Sequence, residues 1–487
     1  MKINTREYLK LSFIYTLVAA VPPLIQVLIQ PIYEGQGANR LHAADFSQLA
    51  ITELFTSLVF VLATFSMGNA ISRFYYDYMD DRKGYDRLVS SVFSSILIRG
   101  LIILGIGFLF SDYIGRLFVQ PALQHFPSYG YASIITGVGR AVNITAAALY
   151  RNEKKVMNFV YVNIGLAVFR TGFQLAGLFL FDMSFIGYIN GSAIGTSITT
   201  IAVLLYTYRR SGIRYDLKMM KSVNQFASPL TQYGIVVWAL AFADKYFLEK
   251  FPDDLGIYNT AASFALGISI VLQGLQGANQ PEVFRVMKEG IEKQQESIRK
   301  LSNMLLAQSQ IVIAAAIIPV MLYLQLLYTT KIHLAAGLVT IIFLRNLLRT
   351  QYVVFSYSVY YMKKTKFFFY LNIVVLAVNL LLNFLLIPTF KFYGAIAAGI
   401  ISDLIQVVGI YLYQKTIITI NWNLNKTLYF PLALMGIAIL MEYIKNVAEL
   451  NPFVSSSVVV ISMFAGLFIL YKVEIKGFIA KRWMQSS

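Results

Sequence analysis

Cysteine is absent from the 487 residues, which removes disulfide frameworks, thiolate metal sites and cysteine nucleophiles and leaves the redox compartment unmarked. Histidine occurs only at His42, His125 and His333, each in a short polar stretch with no second ligand at metal spacing, so no histidine-built metal site is expected. Charge is scarce too: 13% of residues are ionised, against roughly 25% in a soluble globular domain. What fills the chain is apolar, with 57% hydrophobic residues and a mean hydropathy of +0.62, which excludes a soluble reading. The net charge of +17 suggests nucleic acid only until its distribution is read. The basic residues punctuate apolar runs, the pattern of membrane topology, and no nucleic-acid partner is expected.

A hydrocarbon core about 30 Å thick takes about 20 residues of helix. A window of that length predicts fourteen spans, near 9–33, 46–70, 89–110, 128–150, 157–179, 186–208, 224–246, 257–279, 301–325, 336–361, 368–387, 394–414, 429–447 and 454–472. The first is too long for a cleavable signal, carries Pro22-Pro23 and meets no small-residue cleavage site, so it is read as a membrane helix. Of the 41 lysines and arginines, 29 fall in alternate loops and the two tails, and 6 in the opposite loops. Because positive residues stay on the cytoplasmic side of short loops, this split predicts both termini in the cytoplasm and an even number of helices. The stretch from Pro281 to Lys300 and the tail from Lys472 to Ser487 mix charge with apolar residues at helical spacing and are expected to lie along the membrane surface.

The sequence repeats itself. Shifted by 209 residues, Lys154–Ile164 falls on Lys363–Ile373 with Lys154/Lys363, Lys155/Lys364, Phe159/Phe368, Tyr161/Tyr370, Asn163/Asn372 and Ile164/Ile373 identical, where chance gives about one match. The same offset pairs Asp45 with Asp254 and Gly68 with Gly277, and a gap of two pairs Gly187 with Gly394 and Ile189 with Ile396. The expected fold is an all-α polytopic membrane protein of two six-helix repeats with two helices appended. Its expected domains are residues 1–222, 223–420 and 421–487. Parallel repeats are a transporter architecture, with substrate held near the midplane.

Six of the cations lie inside predicted spans: Arg99, Arg140, Arg170, Lys245, Arg345 and Arg349. An arginine at a helix centre costs about 2.5–3.5 kcal/mol on the insertion scale, so each needs water, a partner or a ligand. The acids at comparable depth are Glu53 and Asp403, with Asp244 and Glu442 nearer helix ends. The excess of guanidinium favours an anionic cargo, since guanidinium binds phosphate through paired hydrogen bonds and keeps its charge when buried. The repeat offset carries Arg140 onto Arg349, so these two are candidates for one anion clamp. Arg345 shares the face of Arg349, and Arg170 maps onto neutral Asn379. Arg99 completes the candidate substrate-binding set. The alternative is that each arginine pairs with an acid or carbonyl of a neighbouring helix. Glu53, Asp403 and Asp244 are candidates for a coupling proton or sodium ion, no other cofactor being expected, and counter-ion to arginine is the competing role. Lys245 is expected to reach the headgroups from a helix end. The mid-helix asparagines read mainly as interhelical glue.

With these residues in hand, the chain resembles the bacterial polysaccharide transporters, the lipid-linked oligosaccharide (O-antigen type) flippases of the multidrug/oligosaccharidyl-lipid/polysaccharide exporter superfamily. Local echoes are ADKYFLEKFPDDLGIYNTAASFA from Ala243 to Ala265 and LNFLLIPTFKFYGAIAAGIIS from Leu382 to Ser402. The resemblance spans nearly the whole chain on loose motifs without a catalytic signature. It implies a non-enzymatic flippase of the bacterial cytoplasmic (inner) membrane that carries an undecaprenyl-pyrophosphate-linked repeat unit outward by alternating access through a cationic central cavity. Arg140 and Arg349 would meet the pyrophosphate or acidic sugars, and other polysaccharide-assembly proteins are implied partners. Two rival readings are a multidrug cation antiporter of the same superfamily and a membrane-embedded glycosyltransferase or polymerase. The first fits poorly because the first span has no ionisable residue beyond Lys10 and the core is basic. The second lacks a paired-carboxylate site, since Asp80-Asp81 and Asp253-Asp254 are predicted on opposite sides of the membrane.

Overall fold

In hydrocarbon each backbone N–H and C=O must be satisfied within its own segment, and long apolar runs with few prolines meet that requirement as α-helices. The computed structural model describes residues 5–35, 40–78, 80–180, 184–418 and 420–472, and these residues are overwhelmingly helical. Twelve helices among them are long and apolar enough to cross a membrane. One of these, Lys366–Ile417, is two spans joined at Lys391, whose φ of 48° and ψ of −126° break the helix. With the amino-terminal helix Thr5–Leu28, the spans come to the expected fourteen. We label them α1 (Thr5–Leu28), α2 (Ala43–Tyr78), α3 (Arg82–Leu109), α4 (Gly130–Asn152), α5 (Val156–Phe179), α6 (Ser184–Ser211) and α7 (Leu217–Leu248). The rest are α8 (Pro252–Lys288), α9 (Gln295–Leu327), α10 (Lys331–Tyr361), α11 (366–390), α12 (392–417), α13 (Asn425–Val447) and α14 (Pro452–Leu470).

One expectation about the surface is corrected. The stretch from Pro281 to Lys300 does not form a separate segment along the membrane: α8 continues through Pro281 to Lys288, and α9 has begun by Gln295. At about 1.5 Å per residue these helices outrun a hydrocarbon core, so the charges of this stretch sit on helix extensions, except Glu289, Glu292 and Lys293 in the turn that joins them. The tail beyond Lys472 lies outside the described residues.

The repeat is written in the backbone as well as in the side chains. Lys154 and Lys363, the first matched pair, both close their helices in the left-handed conformation, with φ of 55° and 57°. Around them the same two bonds recur: Lys154 N–H to Arg151 C=O and Lys155 N–H to Tyr150 C=O at 3.1 and 2.9 Å, and Lys363 N–H to Tyr360 C=O and Lys364 N–H to Val359 C=O at 3.1 and 3.0 Å. This is a Schellman closure, in which carbonyls orphaned at a helix end are recaptured by the turn beyond it. Nine residues after each lysine, Asn163 donates to Phe159 C=O at 2.9 Å and Asn372 donates to Phe368 C=O at 2.6 Å. Ser184 and Lys391, matched at the gapped offset, are also at positive φ, 50° and 48°.

The chain divides into two compact units, Met1–Gly256 and Ile257–Ser487. In the first, α3 buries Leu88, Val92, Phe93 and Ile96 against Met67 and Ile71 of α2 and Ala141, Val142 and Ala146 of α4. Here α5 and α6 touch backbone to backbone: a Cβ on Gly191 would stand 2.0 Å from Phe173 C=O, so only glycine fits. Helix α7 joins this unit through Trp238, whose indole N–H donates to Leu54 C=O and Ser57 Oγ of α2, both at 3.2 Å. In the second unit α10 buries Phe343, Leu344, Leu347 and Leu348, and α9 buries Ile313 and Ile317. Its α11 and α12 repeat the close crossing, since a Cβ on Gly394 would come within 2.6 Å of the Leu386 backbone.

Candidate functional site

Each unit gathers two intramembrane arginines around one carboxylate. In the first unit Glu53 of α2 accepts from Arg140 Nη1 of α4 at 2.5 Å, and Arg170 Nη2 of α5 lies 3.9 Å from its other oxygen. Arg170 is oriented by its Nε, which donates to Ser192 Oγ of α6 at 2.9 Å, and Arg140 lies over the Phe60 ring at 5.7 Å. In the second unit Asp403 of α12 accepts from Arg345 Nε at 2.8 Å, and Arg349 Nε stands 3.8 Å from its other oxygen. Arg345 and Arg349 lie one turn apart on α10 and reach the same acid. The Arg345 guanidinium is flattened on the α12 backbone at Gly399, where a Cβ would come within 2.4 Å of Cζ.

The alternative of acid pairing thus holds for four of the arginines, in a form that leaves positive charge over: two guanidiniums share one carboxylate. Glu53 and Asp403, expected as coupling-ion candidates, both act as counter-ions in this geometry. The clusters differ in openness. The Glu53 side chain is 38% exposed, whereas Asp403 and Arg345 are 9% and 13% exposed and Arg349 is 51% exposed.

The other predicted residues are placed elsewhere. Arg99 joins neither cluster. Its Nε donates to Ala63 C=O at 3.1 Å, its Nη2 donates to Ser95 Oγ at 3.0 Å, and its guanidinium covers the Phe65 ring at 4.9 Å. Phe65 and Ser66 are consecutive left-handed residues, with φ of 45° and 54°, that interrupt α2. Arg99 therefore holds a carbonyl next to a broken helix. Asp244 accepts from the backbone N–H of Lys245 at 2.8 Å. Lys245 is not the headgroup anchor expected of it: it is 8% exposed, sits over the Phe242 ring at 4.9 Å and is near enough for its charge to act on Glu53. The sequence signal for this lay in helical spacing, which puts Trp238, Phe242 and Lys245 on one face of α7. Two bonds of the second unit tie α11 to α12, from Asn379 to Ser402 Oγ at 2.9 Å and from Gln406 to Asn372 Oδ1 at 2.8 Å, while Asn383 donates within α11 to Asn379 Oδ1 at 2.9 Å.

Two further buried carboxylates lie between spans. Glu153, in the α4–α5 turn, accepts from the Tyr85 hydroxyl and from Arg210 Nη1, with Lys155 Nζ at 3.0 Å. Burial works to raise its carboxyl, and the bonds from Tyr85, Lys155 and Arg210 outweigh burial and hold it below the usual range. Glu249, after α7, is 1% exposed and, among the described residues, accepts from the backbone N–H groups of Val119 and Gln120, at 2.7 and 3.1 Å. Here burial wins, and its carboxyl is raised.

No protein-family model matches the chain. A protein of the Lsg locus of Haemophilus influenzae is 22% identical over 286 residues, 57% of this chain, and the chain spans 66% of that protein's length. Among solved structures, the lipid II flippase MurJ in an inward closed conformation matches with a TM-score of 0.65 at 14% identity, covering 96% of this chain and 100% of that one. An inward-facing multidrug resistance MATE family transporter of the MOP superfamily matches with a TM-score of 0.64 at 12% identity, over 83% of this chain and 94% of that one. An all-helical architecture, with twelve helices among the described residues long and apolar enough to cross a membrane, is thus a fold that this chain shares with a lipid II flippase and with a multidrug resistance MATE family transporter.

Proposed function

We propose that this protein is a flippase that moves an anionic lipid-linked oligosaccharide, carried on undecaprenyl pyrophosphate, from the inner to the outer leaflet of a bacterial cytoplasmic membrane, with both termini in the cytoplasm. The observation that carries this reading is the two-to-one ratio of guanidinium to carboxylate in each unit, at Glu53 with Arg140 and Arg170 and at Asp403 with Arg345 and Arg349. A structural ion pair needs one cation per acid. The second arginine at each site keeps hydrogen-bond donors that suit phosphate or a sugar carboxylate. The fold shared with a lipid II flippase supports a lipid-linked cargo. The multidrug reading shares the fold, but an exporter of organic cations calls for acids in excess, and the charge here has the opposite sign.

Substituting Arg140 and Arg349 together by alanine tests the reading. Glu53 keeps Arg170 and Asp403 keeps Arg345, so neither acid is stranded and the protein is expected to remain in the membrane at normal abundance. Surface glycan is expected to disappear, with lipid-linked repeat units accumulating on the inner leaflet. Normal glycan display from the double variant removes the arginines from transport.

A further inference from the structure

The amino-terminal cluster is bordered by aromatic rings, and these come mainly from α7. On α2, Glu53, Ser57 and Phe60 recur at helical spacing and share one face. On α7, Trp238, Phe242 and Lys245 do the same. The Trp238 indole N–H bridges the faces through Leu54 C=O and Ser57 Oγ, fixing the plane of its ring one turn from Glu53. Trp238 and Phe242 lie 6.2 Å apart with their planes inclined by 30°, and the Lys245 ammonium covers Phe242 at 4.9 Å. Across the cluster, Phe60 lies beneath Arg140 at 5.7 Å. Both aromatic rings of α7 are half-buried, and Lys245 is buried. Nothing in the packing of a helix pair calls for an ammonium and a guanidinium that each combine an aromatic ring with an acid.

We propose that these paired faces read one sugar of the glycan: Trp238 and Phe242 stack on the apolar face of a pyranose ring, and Lys245 with Arg140 receives a carboxylate carried by that same ring. The ligand class is therefore a uronic-acid-type residue. A bare phosphate uses the cations and leaves the rings idle, whereas a neutral sugar uses the rings and leaves the cations idle. An organic cation uses the rings and Glu53 but meets Arg140, Arg170 and Lys245, which repel it. This inference rests on the flippase reading and narrows its substrate.

The test is calorimetric titration of the purified full-length protein in detergent with four water-soluble probes: a disaccharide containing glucuronate, maltose, glucose 1-phosphate and tetraphenylphosphonium. The glucuronate disaccharide is expected to bind at least tenfold more tightly than maltose or glucose 1-phosphate. Lys245→Met, which keeps bulk and removes charge, and Phe242→Leu, which keeps bulk and removes the ring, are each expected to weaken it at least tenfold. A preference for glucose 1-phosphate that survives Phe242→Leu overturns the sugar-reading site and leaves the anionic flippase standing. Preferred binding of tetraphenylphosphonium overturns both. Equal binding of maltose and the glucuronate disaccharide, or no measurable binding of either by the wild-type protein, overturns the sugar-reading site. The probe comparison uses wild-type protein, so it decides even where a variant fails to fold.

Discussion

The two arginine clusters begin from equivalent residues and are built differently. Arg140 and Arg349 occupy matched positions in the repeat, yet the acid of the first comes from α2 and the acid of the second from α12. The first collects its second arginine from α5, and the second takes it from one turn away on α10. At the position matched to Arg170 stands Asn379, and the contact between neighbouring helices survives in neutral form: Arg170 to Ser192 in one unit, Asn379 to Ser402 in the other. A duplicated bundle has kept its guanidinium and replaced the means of holding it. The first version leaves its acid partly exposed. The second buries its acid and leaves one arginine half-exposed, which separates a fixed pair, Arg345 with Asp403, from a freer cation, Arg349.

That difference is sharpest in stability. Asp403→Asn removes the charge from the buried Arg345–Asp403 pair and is expected to cost about 3–5 kcal/mol, since breaking a buried pair is strongly destabilising. Glu53→Gln is expected to cost about 1–2 kcal/mol, between the exposed and buried cases, because that side chain is 38% exposed. Unfolding midpoints of the two variants in detergent check this, and equal losses would break the contrast between an open and a closed acid. If either acid also carries a coupling ion, transport by its variant in reconstituted vesicles becomes independent of the proton or sodium gradient. Unchanged gradient dependence confines that acid to charge balance.

A smaller effect is expected at the surface on which Arg345 lies. Gly399→Ala places a methyl 2.4 Å from the guanidinium carbon and forces the fixed pair apart, at about 1–3 kcal/mol, the range for overpacking. In the first unit Gly165 of α5 has only ordinary van der Waals space, with Thr199 Cγ2 at 3.4 Å, so Gly165→Ala is expected to change little. A detergent melt of the two variants side by side measures how much of the second cluster depends on that backbone contact.

Much of this fold was legible from periodicity and charge alone. The apolar runs became membrane-length helices, about as many as expected, and the 209-residue offset found the same Schellman closures because those closures depend on local sequence around Lys154 and Lys363. The identity of the buried charges was legible too, since intramembrane arginines stand out in a chain with so few ions. Their partners were not. Whether Arg99 meets an acid or a carbonyl depends on the break at Phe65 and Ser66, and the matched region of α8 runs on as unbroken helix. Lys245 was misplaced because its position near a helix end suggested the headgroups, while α7 turns that face toward Glu53 and packs it under Phe242.

The same contrast, a carboxylate given cations against one denied them, extends to Glu153 and Glu249 and predicts opposite responses to pH. The carboxyl of Glu153 is lowered in the folded protein, so its stabilising contribution is present above its unfolded pKa and is lost as pH falls through the folded one. Glu153→Gln is therefore expected to destabilise at neutral pH and to converge on wild type in acid. Glu249 is raised, so its contribution is present below its unfolded pKa and is lost as pH rises through the folded one. Glu249→Gln keeps an acceptor for Val119 and Gln120 and is expected to stabilise at neutral pH, with the gain vanishing in acid. Melting curves of both variants across pH check the signs. A Glu249→Gln variant that is weaker at neutral pH would mean that its two backbone donors hold the ionised form more strongly than burial opposes it.

A further small effect probes what the units share. Lys154 and Lys363 adopt a left-handed conformation that costs a non-glycine residue roughly 1–2 kcal/mol, and glycine takes it without strain. Glycine's extra freedom in the unfolded chain offsets part of that gain, so Lys154→Gly and Lys363→Gly are each expected to stabilise by about 0.5–1 kcal/mol, and by equal amounts. Equal gains would show that the duplicated turn is energetically as well as geometrically conserved, in contrast to the arginine clusters. A gain in one unit and a loss in the other would mean that one lysine ammonium makes an interaction stronger than the strain of its backbone. The repeat would then have diverged at its turns as it has at its charges.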